Sequence, residues 1–383
     1  MATPRKIAPS FNAELVNQFQ GTMPSGDNNS IGTDLSGWTN FQKFLNEGVQ
    51  AGRLFTNEIV STYSLVYTAA GAYAGGVLAP NGDNHFVPIF AAVGQKISAS
   101  GVVSTYSVVY TNTSGAYVGG ALAPNGDIHF VPFNAAVGQK ISASGVVSTY
   151  SLVYTVNNYG YDGGVLAPNG DIHFVPRSAA VGQKISASGV VSTYSLVYTN
   201  ASSAYVGGAL APNGDIHFVP LFAAVGQKIS AAGVVSTYSL VYTNTSGAYN
   251  GGALAPNGDI HFVPYGAPVG QKISASGVVS TYSLVYTNTS GAYIGGVLAP
   301  NGDIHFVPYG APVGQKISAS GVVSTYSLVY TTSIAYIGGV LAPNGDIHFV
   351  PYSAAVGQVI RNNSGLTFPK GVLLHNFLNR GGV

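Results

Sequence analysis

The chain has 383 residues, no cysteine, 14 Lys or Arg against 13 Asp or Glu, and 7% charged residues, where an average soluble domain has roughly 25%. A net charge of +1 without any Lys/Arg cluster argues against binding nucleic acid or a membrane surface through a basic patch. Zero Cys excludes disulfide staples, thiol catalysis and Cys-based zinc sites.

Met1-Ala2-Thr3-Pro4-Arg5-Lys6 is not followed by an apolar signal core, and no run approaches the roughly 18 apolar residues of a spanning helix. A soluble chain without a Sec signal is expected. Residues 1–33 are rich in Ser, Asn, Gly and Pro and look like an arm. From about Gly37 to Arg53 the spacing predicts a helix, with Trp38, Phe41, Phe44, Leu45 and Val49 on one face and Asp34 or Ser36 as its cap. Such a face needs a partner: the chain's own body, a larger assembly, or further copies of the chain. Residues 1–57 are therefore assigned as an anchoring segment.

From residue 58 the chain is repetitive. Asn-Gly-Asp recurs at Asp83, Asp127, Asp171, Asp215, Asp259, Asp303 and Asp346, spaced by 44 residues five times and then by 43. Each unit holds four short segments rich in Val, Ile, Tyr, Phe and Thr and punctuated by Gly, Pro, Asn and Ser. They are Tyr-x-Gly-Gly-Val-Leu-Ala (strand A), Asp-Ile-His-Phe-Val (B), Val-Gly-Gln-Lys-Ile-Ser (C) and Val-Val-Ser-Thr-Tyr-Ser-Leu-Val-Tyr (D). Pro-Asn-Gly-Asp between A and B predicts a type I′ hairpin turn, and Ala-Ser-Gly between C and D a second tight reversal.

Four antiparallel strands per unit of this length make the blade of a β-propeller. Paired glycines such as Gly119-Gly120 belong where side chains would collide, on the innermost strand, which makes A innermost and D the outer edge. The fold class is all-β: a seven-bladed β-propeller of four-stranded blades over residues 58–361, with a short, partly helical N-terminal arm. A D strand, Val60-Ser61-Thr62-Tyr63-Ser64-Leu65-Val66-Tyr67, precedes the first A strand, whereas only a C strand, Val356-Gly357-Gln358-Val359-Ile360, follows the last B strand. The first segment should therefore complete the last blade. Val359 stands where six other C strands carry Lys, as suits a seam. The tail, residues 362–383, includes Gly371-Val372-Leu373-Leu374 and is expected to pack on the propeller.

The paired glycines resemble those of kelch-like propeller repeats, and the tandem Gly-Gly-Val-Leu-Ala-Pro-Asn-Gly motif more closely resembles repeats of bacterial and phage-type propellers. The likeness spans about residues 58–361 and concerns architecture far more than function. Kelch repeats carry a regular Trp, and here Trp38 is the only one and lies outside the repeats.

Asp127 and His129, two apart on strand B, face one side of the sheet and could suggest metal or acid–base chemistry. Their sevenfold repetition points instead to a structural hydrogen-bond ladder, because catalysis needs one asymmetric constellation. No metal and no cofactor is expected. Ser-Thr-Tyr-Ser on strand D is edge decoration, and Asn-Thr-Ser at Asn112, Asn244 and Asn288 is a turn former.

The informative positions are those where the copies differ. Between the strand-A Tyr and Gly-Gly stand Ala74, Val118, Asp162, Val206, Asn250, Ile294 and Ile337. After the strand-B Val-Pro come Ile89-Phe90, Phe133-Asn134, Arg177-Ser178, Leu221-Phe222, Tyr265-Gly266, Tyr309-Gly310 and Tyr352-Ser353. The start of A lies beside the end of B, so both sets, with the varied D–A loops, fall on one rim opposite the constant Pro-Asn-Gly-Asp turns. Ala74, Phe90, Val118, Phe133, Asn134, Asp162, Arg177, Val206, Phe222, Asn250, Tyr265, Ile294, Tyr309, Ile337 and Tyr352 are the candidate ligand-binding residues; rigid Tyr and adaptable Asn resemble paratope chemistry. Neutral drift at tolerant loop positions is the bland account.

The expected function is a non-enzymatic recognition module, virion-borne or surface-exposed, binding a glycan or protein receptor through this rim. The alternative is a structural or decorative virion component. A virion or extracellular surface is the expected location, the cytoplasm the alternative.

Overall fold

The structure, a computed structural model, describes residues 58–155 and 158–362. Its strands form seven four-stranded antiparallel sheets. In the second blade the strands are Tyr117–Leu122, Ile128–Pro132, Val137–Ile141 and Val147–Ser151, in sheet order A-B-C-D. Strands A of neighbouring blades pack on one another around the ring, which puts A innermost and D at the circumference. Among the described residues no helix is long and apolar enough to cross a membrane. Trp38, Phe41, Phe44, Leu45 and the tail beyond Asn362 lie outside the described residues.

The ring closes as the repeat arithmetic requires. The strand Glu58–Ser64 pairs with Val356–Asn362 as the D strand of the seventh blade, in a register running from Glu58 opposite Asn362 to Ser64 opposite Val356. Val359 is buried at this seam. Arg361 takes over from the missing Lys, its Nε donating to Ser61 Oγ at 3.1 Å and its guanidinium lying 4.0 Å from Asp346.

Each repeated residue has a local cause. The strand-A Tyr is fully buried, and Tyr117 Oη donates to the Val137 carbonyl at 2.9 Å, so the phenol is satisfied inside the blade. The two glycines differ in role. Gly119 has φ +71° at a bulge, where the register shifts between Tyr117 and Gly120. A Cβ on Gly120 would lie 2.8 Å from Val77 of the neighbouring blade and 3.1 Å from the His129 carbonyl, so only Gly lets the blades meet.

The A–B turn is not the expected type I′. Gly126 has φ +86°, Asn125 is not left-handed, Gly126 N–H donates to Ala123 O at 2.9 Å, and Ala123 N–H donates to Asp127 O at 2.8 Å. This is a three-residue loop built on a type I turn with the glycine left-handed. Pro124 explains it, because proline's fixed φ suits the second position of a type I turn and forbids the positive φ that type I′ needs there.

Adjacent blades are stapled by the strand-C Gln. Gln139, fully buried, accepts from Val109 N–H at 2.9 Å and Tyr110 N–H at 2.8 Å, where the chain leaves the preceding blade. The same bond pair recurs at all seven blades, and in the first Gln95 holds Val66 and Tyr67, which follow the seam strand.

Candidate functional site: the varied mouth

Strand A's Tyr pairs with strand B's Pro in every blade, for example Tyr117 with Pro132 and Tyr249 with Pro264. The two varied positions that follow lie on either side of this pair, and they come together in one cluster in the first, second, fourth and seventh blades and as an ion pair in the third. Ala74, Ile89, Val118 and Phe133 form one buried cluster with half-buried Ile337 and Tyr352, a lining shared by the seventh, first and second blades. Val206 and Leu221 pack with Phe222 and Tyr265, and the Tyr265 and Tyr309 rings lie 5.8 Å apart. Ile294 and Asn250 are buried at the equivalent innermost positions. The varied residues thus form a collar at the mouth of the ring rather than an exposed coat on its rim.

The outlying candidates sit elsewhere. Phe90 is 42% exposed and lies beside Gly71 and Gly115. Asn134 is buried and holds loops together, donating from Nδ2 to Ser114 O and accepting at Oδ1 from Tyr159 N–H at 2.7 Å.

The third blade breaks the collar's apolar character. Arg177 Nη1 donates to Asp162 Oδ2 at 2.7 Å and Arg177 Nε to Ser203 Oγ at 3.0 Å. Its guanidinium carbon lies 5.2 Å from the centre of the Phe133 ring and 5.3 Å from that of Tyr159, within cation–π range. Asp162 is 2% exposed, and its Oδ1 has no hydrogen-bond partner. Burial pushes its carboxyl above the ordinary carboxylate range, against the opposing charge and hydrogen bond of Arg177. Asn250 Oδ1 and Ser178 Oγ are likewise buried without a partner.

Two of the groups around Arg177 are strained. Tyr159 (φ +57°) and Ser203 (φ +88°) adopt the left-handed conformation at the loop position that Gly115 and Gly247 occupy in other blades, as does Ile334 (φ +62°) in the seventh. A side chain there costs about 1 kcal/mol or more, and such strain tends to mark sites that use it. Ser203 supplies the oxygen, and Tyr159 the ring, that hold Arg177. Ile89, Leu221, Tyr159 and Ser203 were absent from the sequence-derived set; the signal that marks the last two is a Gly replaced at one repeat position.

The opposite face is uniform. Asp127 Oδ2 accepts from Lys140 Nζ at 2.7 Å and Oδ1 from Ala143 N–H at 3.1 Å. Burial alone would raise its carboxyl, but the Lys140 and Ala143 bonds hold it below the ordinary range. The repeated Asp thus partners Lys rather than His. His129 packs edge-on against Tyr150 with ring centres 5.3 Å apart, and burial pushes it down to about 4. Arg361 and Asn362 lie at the strand-C end, beside Asp346 of this face. Both Glu58 and Asn362 therefore open onto the constant face, away from the mouth.

No protein-family model matches the chain, and no curated protein matches it. Solved structures do. A streptogramin B lyase superposes with a TM-score of 0.68 at 21% identity, over 80% of this chain and 98% of that one. A virginiamycin B lyase from Staphylococcus aureus gives 0.68 at 17% identity, over 80% and 100%. A hydrazine synthase from Kuenenia stuttgartiensis gives 0.58 at 11%, over 78% and 98%. At these identities the likeness fixes the fold.

One expectation is overturned here. The chain was expected not to be an enzyme, because its polar residues repeat sevenfold. The same ring carries a lyase in the structures it matches, so repetition in the blades is no bar to chemistry at a mouth whose residues do not repeat.

Proposed function

We propose that the mouth is a ligand-recognition site, centred on Arg177 and lined by Asp162, Asn250, Tyr265, Tyr309 and Tyr352. The observation that carries this is the pinned guanidinium. One blade of seven replaces an apolar pair with a buried ion pair, and two residues at positive φ contact its guanidinium. Asp162, Ser203 and Tyr159 each depart from the repeat and all three meet at Arg177. Concave sites with a few placed polar groups in an apolar and aromatic lining are where ligands bind. The place of Glu58 and Asn362 at the constant-face end of the seventh blade supports a disc that presents the mouth to a glycan or protein receptor.

The test is to give every blade the second blade's residues, Val118 and Phe133, at the two collar positions. Binding to the receptor found for the wild-type chain should fall at least tenfold while the ring still folds. Equal binding by both proteins would remove recognition from the mouth.

A second reading, chemistry on the bound ligand, is favoured by Asp162, a carboxyl raised by burial with one oxygen unpaired. Mass spectrometry of ligand recovered after long incubation distinguishes the two: a changed ligand with wild type and an unchanged one with Asp162→Asn means catalysis.

A further inference from the structure

We infer that the ligand of this mouth is a neutral saccharide, an inference that rests on the mouth being the recognition site. Two buried oxygens there lack donors, Asp162 Oδ1 on the third blade and Asn250 Oδ1 on the fifth. They are 2% and 8% exposed, and they occupy the same position of strand A. An unpaired buried acceptor is destabilising, and the other innermost positions show how easily it is avoided: Ala, Val or Ile stands at all five.

The polar inventory of the mouth selects the ligand. Its unsatisfied buried groups include acceptors and the Ser178 hydroxyl, which donates and accepts. A carboxylate or phosphate ligand would set its own acceptors against Asp162 Oδ1 and Asn250 Oδ1. The one cation in the collar, Arg177, already has its charge balanced by Asp162 at 2.7 Å, so a charged ligand has no uncompensated opposite charge to meet. Hydroxyl groups donate and accept together and match each of these atoms, which a ligand reaches when the collar side chains over them move aside.

The rest of the collar suits the other half of a sugar. Tyr265, Tyr309 and Tyr352 stand on three consecutive blades, half-buried, with the first two rings 5.8 Å apart and tilted by 46°. Burial raises the Tyr309 and Tyr352 phenols above their ordinary value, so both stay protonated and able to donate. Aromatic faces beside hydroxyl-matched acceptors take up a pyranose, which has an apolar C–H face and a hydroxyl edge. Asp162 and Asn250 are separated by the Val206 blade, a spacing that favours an oligosaccharide with more than one sugar unit in contact over a single ring.

The experiment uses the full chain and neutral trisaccharides of glucose, galactose, mannose and N-acetylglucosamine, followed by calorimetry and by thermal melting. At least one trisaccharide should bind, and Asn250→Leu should weaken it at least tenfold while melting at the same temperature as wild type or higher. Loss of affinity without loss of stability is the result a merely structural Asn250 would not give. Exchange of Asp162 and Arg177 together for Val and Phe should also abolish binding. The saccharide inference is overturned if no trisaccharide binds at millimolar concentration, or if Asn250→Leu binds as wild type does. If no sugar binds but a protein receptor is lost on making the collar uniform, the mouth stands as the recognition site and the ligand is a protein. If neither is affected, the mouth itself is wrong.

Discussion

The two faces of the ring are made from the same strands and have opposite characters. On the constant face the Asp–Lys pairs of six blades have nearly the same length, 2.6 to 2.7 Å, and their turns share one geometry. On the mouth face one innermost position holds Ala, Val, Ile, Asn and Asp. A turn must satisfy its own backbone whichever blade carries it, and that fixes its residues. A collar residue need only fit its neighbour in the same blade, so pairs can change together, from Val118 with Phe133 to Asp162 with Arg177. Stability is thereby concentrated in the repeated scaffold, and identity in the collar.

The most severe way to test that division is at the seam. Removal of residues 58–64 leaves the seventh blade without its outer strand and its Val356–Asn362 edge unpaired. Cooperative melting of the ring should be lost, as read by circular dichroism and calorimetry; a truncated chain that melts like the full one would place the closing contacts elsewhere.

Acid should act next, and through the scaffold. His85, His129, His173, His217, His261 and His348 are each pushed down to about 4, chiefly by burial, against about 6.5 in an unfolded chain. The unfolded chain therefore takes up more protons between those values. The stability they confer is complete above about pH 6.5 and lost progressively as pH falls towards 4. Below that, protonation of Asp83, Asp127 and Asp215, whose Lys bonds outweigh burial and hold them low, removes more. Melting temperature followed from pH 7.5 to pH 4 should fall steeply, and equally in a chain with a uniform collar. A collar-dependent fall would mean that the mouth carries stability too.

Single substitutions sharpen the contrast. Gln139→Leu leaves Val109 and Tyr110 N–H groups without their acceptor and should cost about 2–4 kcal/mol in urea unfolding. Gly126→Ala forces a left-handed Ala whose Cβ meets Ala143 at 3.0 Å and should cost about 1–2 kcal/mol. Ile294→Val, a change to a residue already used at that collar position, should cost no more than about 1 kcal/mol. A ranking that put Ile294→Val above Gly126→Ala would reverse the assignment of the two faces.

The ring, its strand order and its seam were legible in the sequence because the spacing of Asn-Gly-Asp counts the blades, and because an unmatched D segment at one end answers a missing one at the other. Asn-Gly alone suggests a type I′ turn, and the Pro before it is what makes the turn type I. The collar was legible as a set of positions but not as a buried one, since a Gly-Gly pair does not say which of the two is the bulge, and it is the bulge at Gly119 that shifts the register beside Val118. Asp162 and Arg177 stood out as breaks in the repeat. That they bond to each other, and that Ser203 and Tyr159 hold Arg177, depends on contacts between consecutive blades and on φ angles that no spacing reveals.

Because every unit brings its own Gln staple, its own glycine-lined inner strand and its own turn, the scaffold contacts between any two units repeat at the next. A gene of this form can gain or lose a unit by unequal recombination with the scaffold contacts intact, and the strand at Glu58–Ser64 would meet the last unit whatever the number in between. Blade number is then set by the angle at which Val77 and Gly120 let neighbouring blades approach, a property of packing that no single repeat encodes.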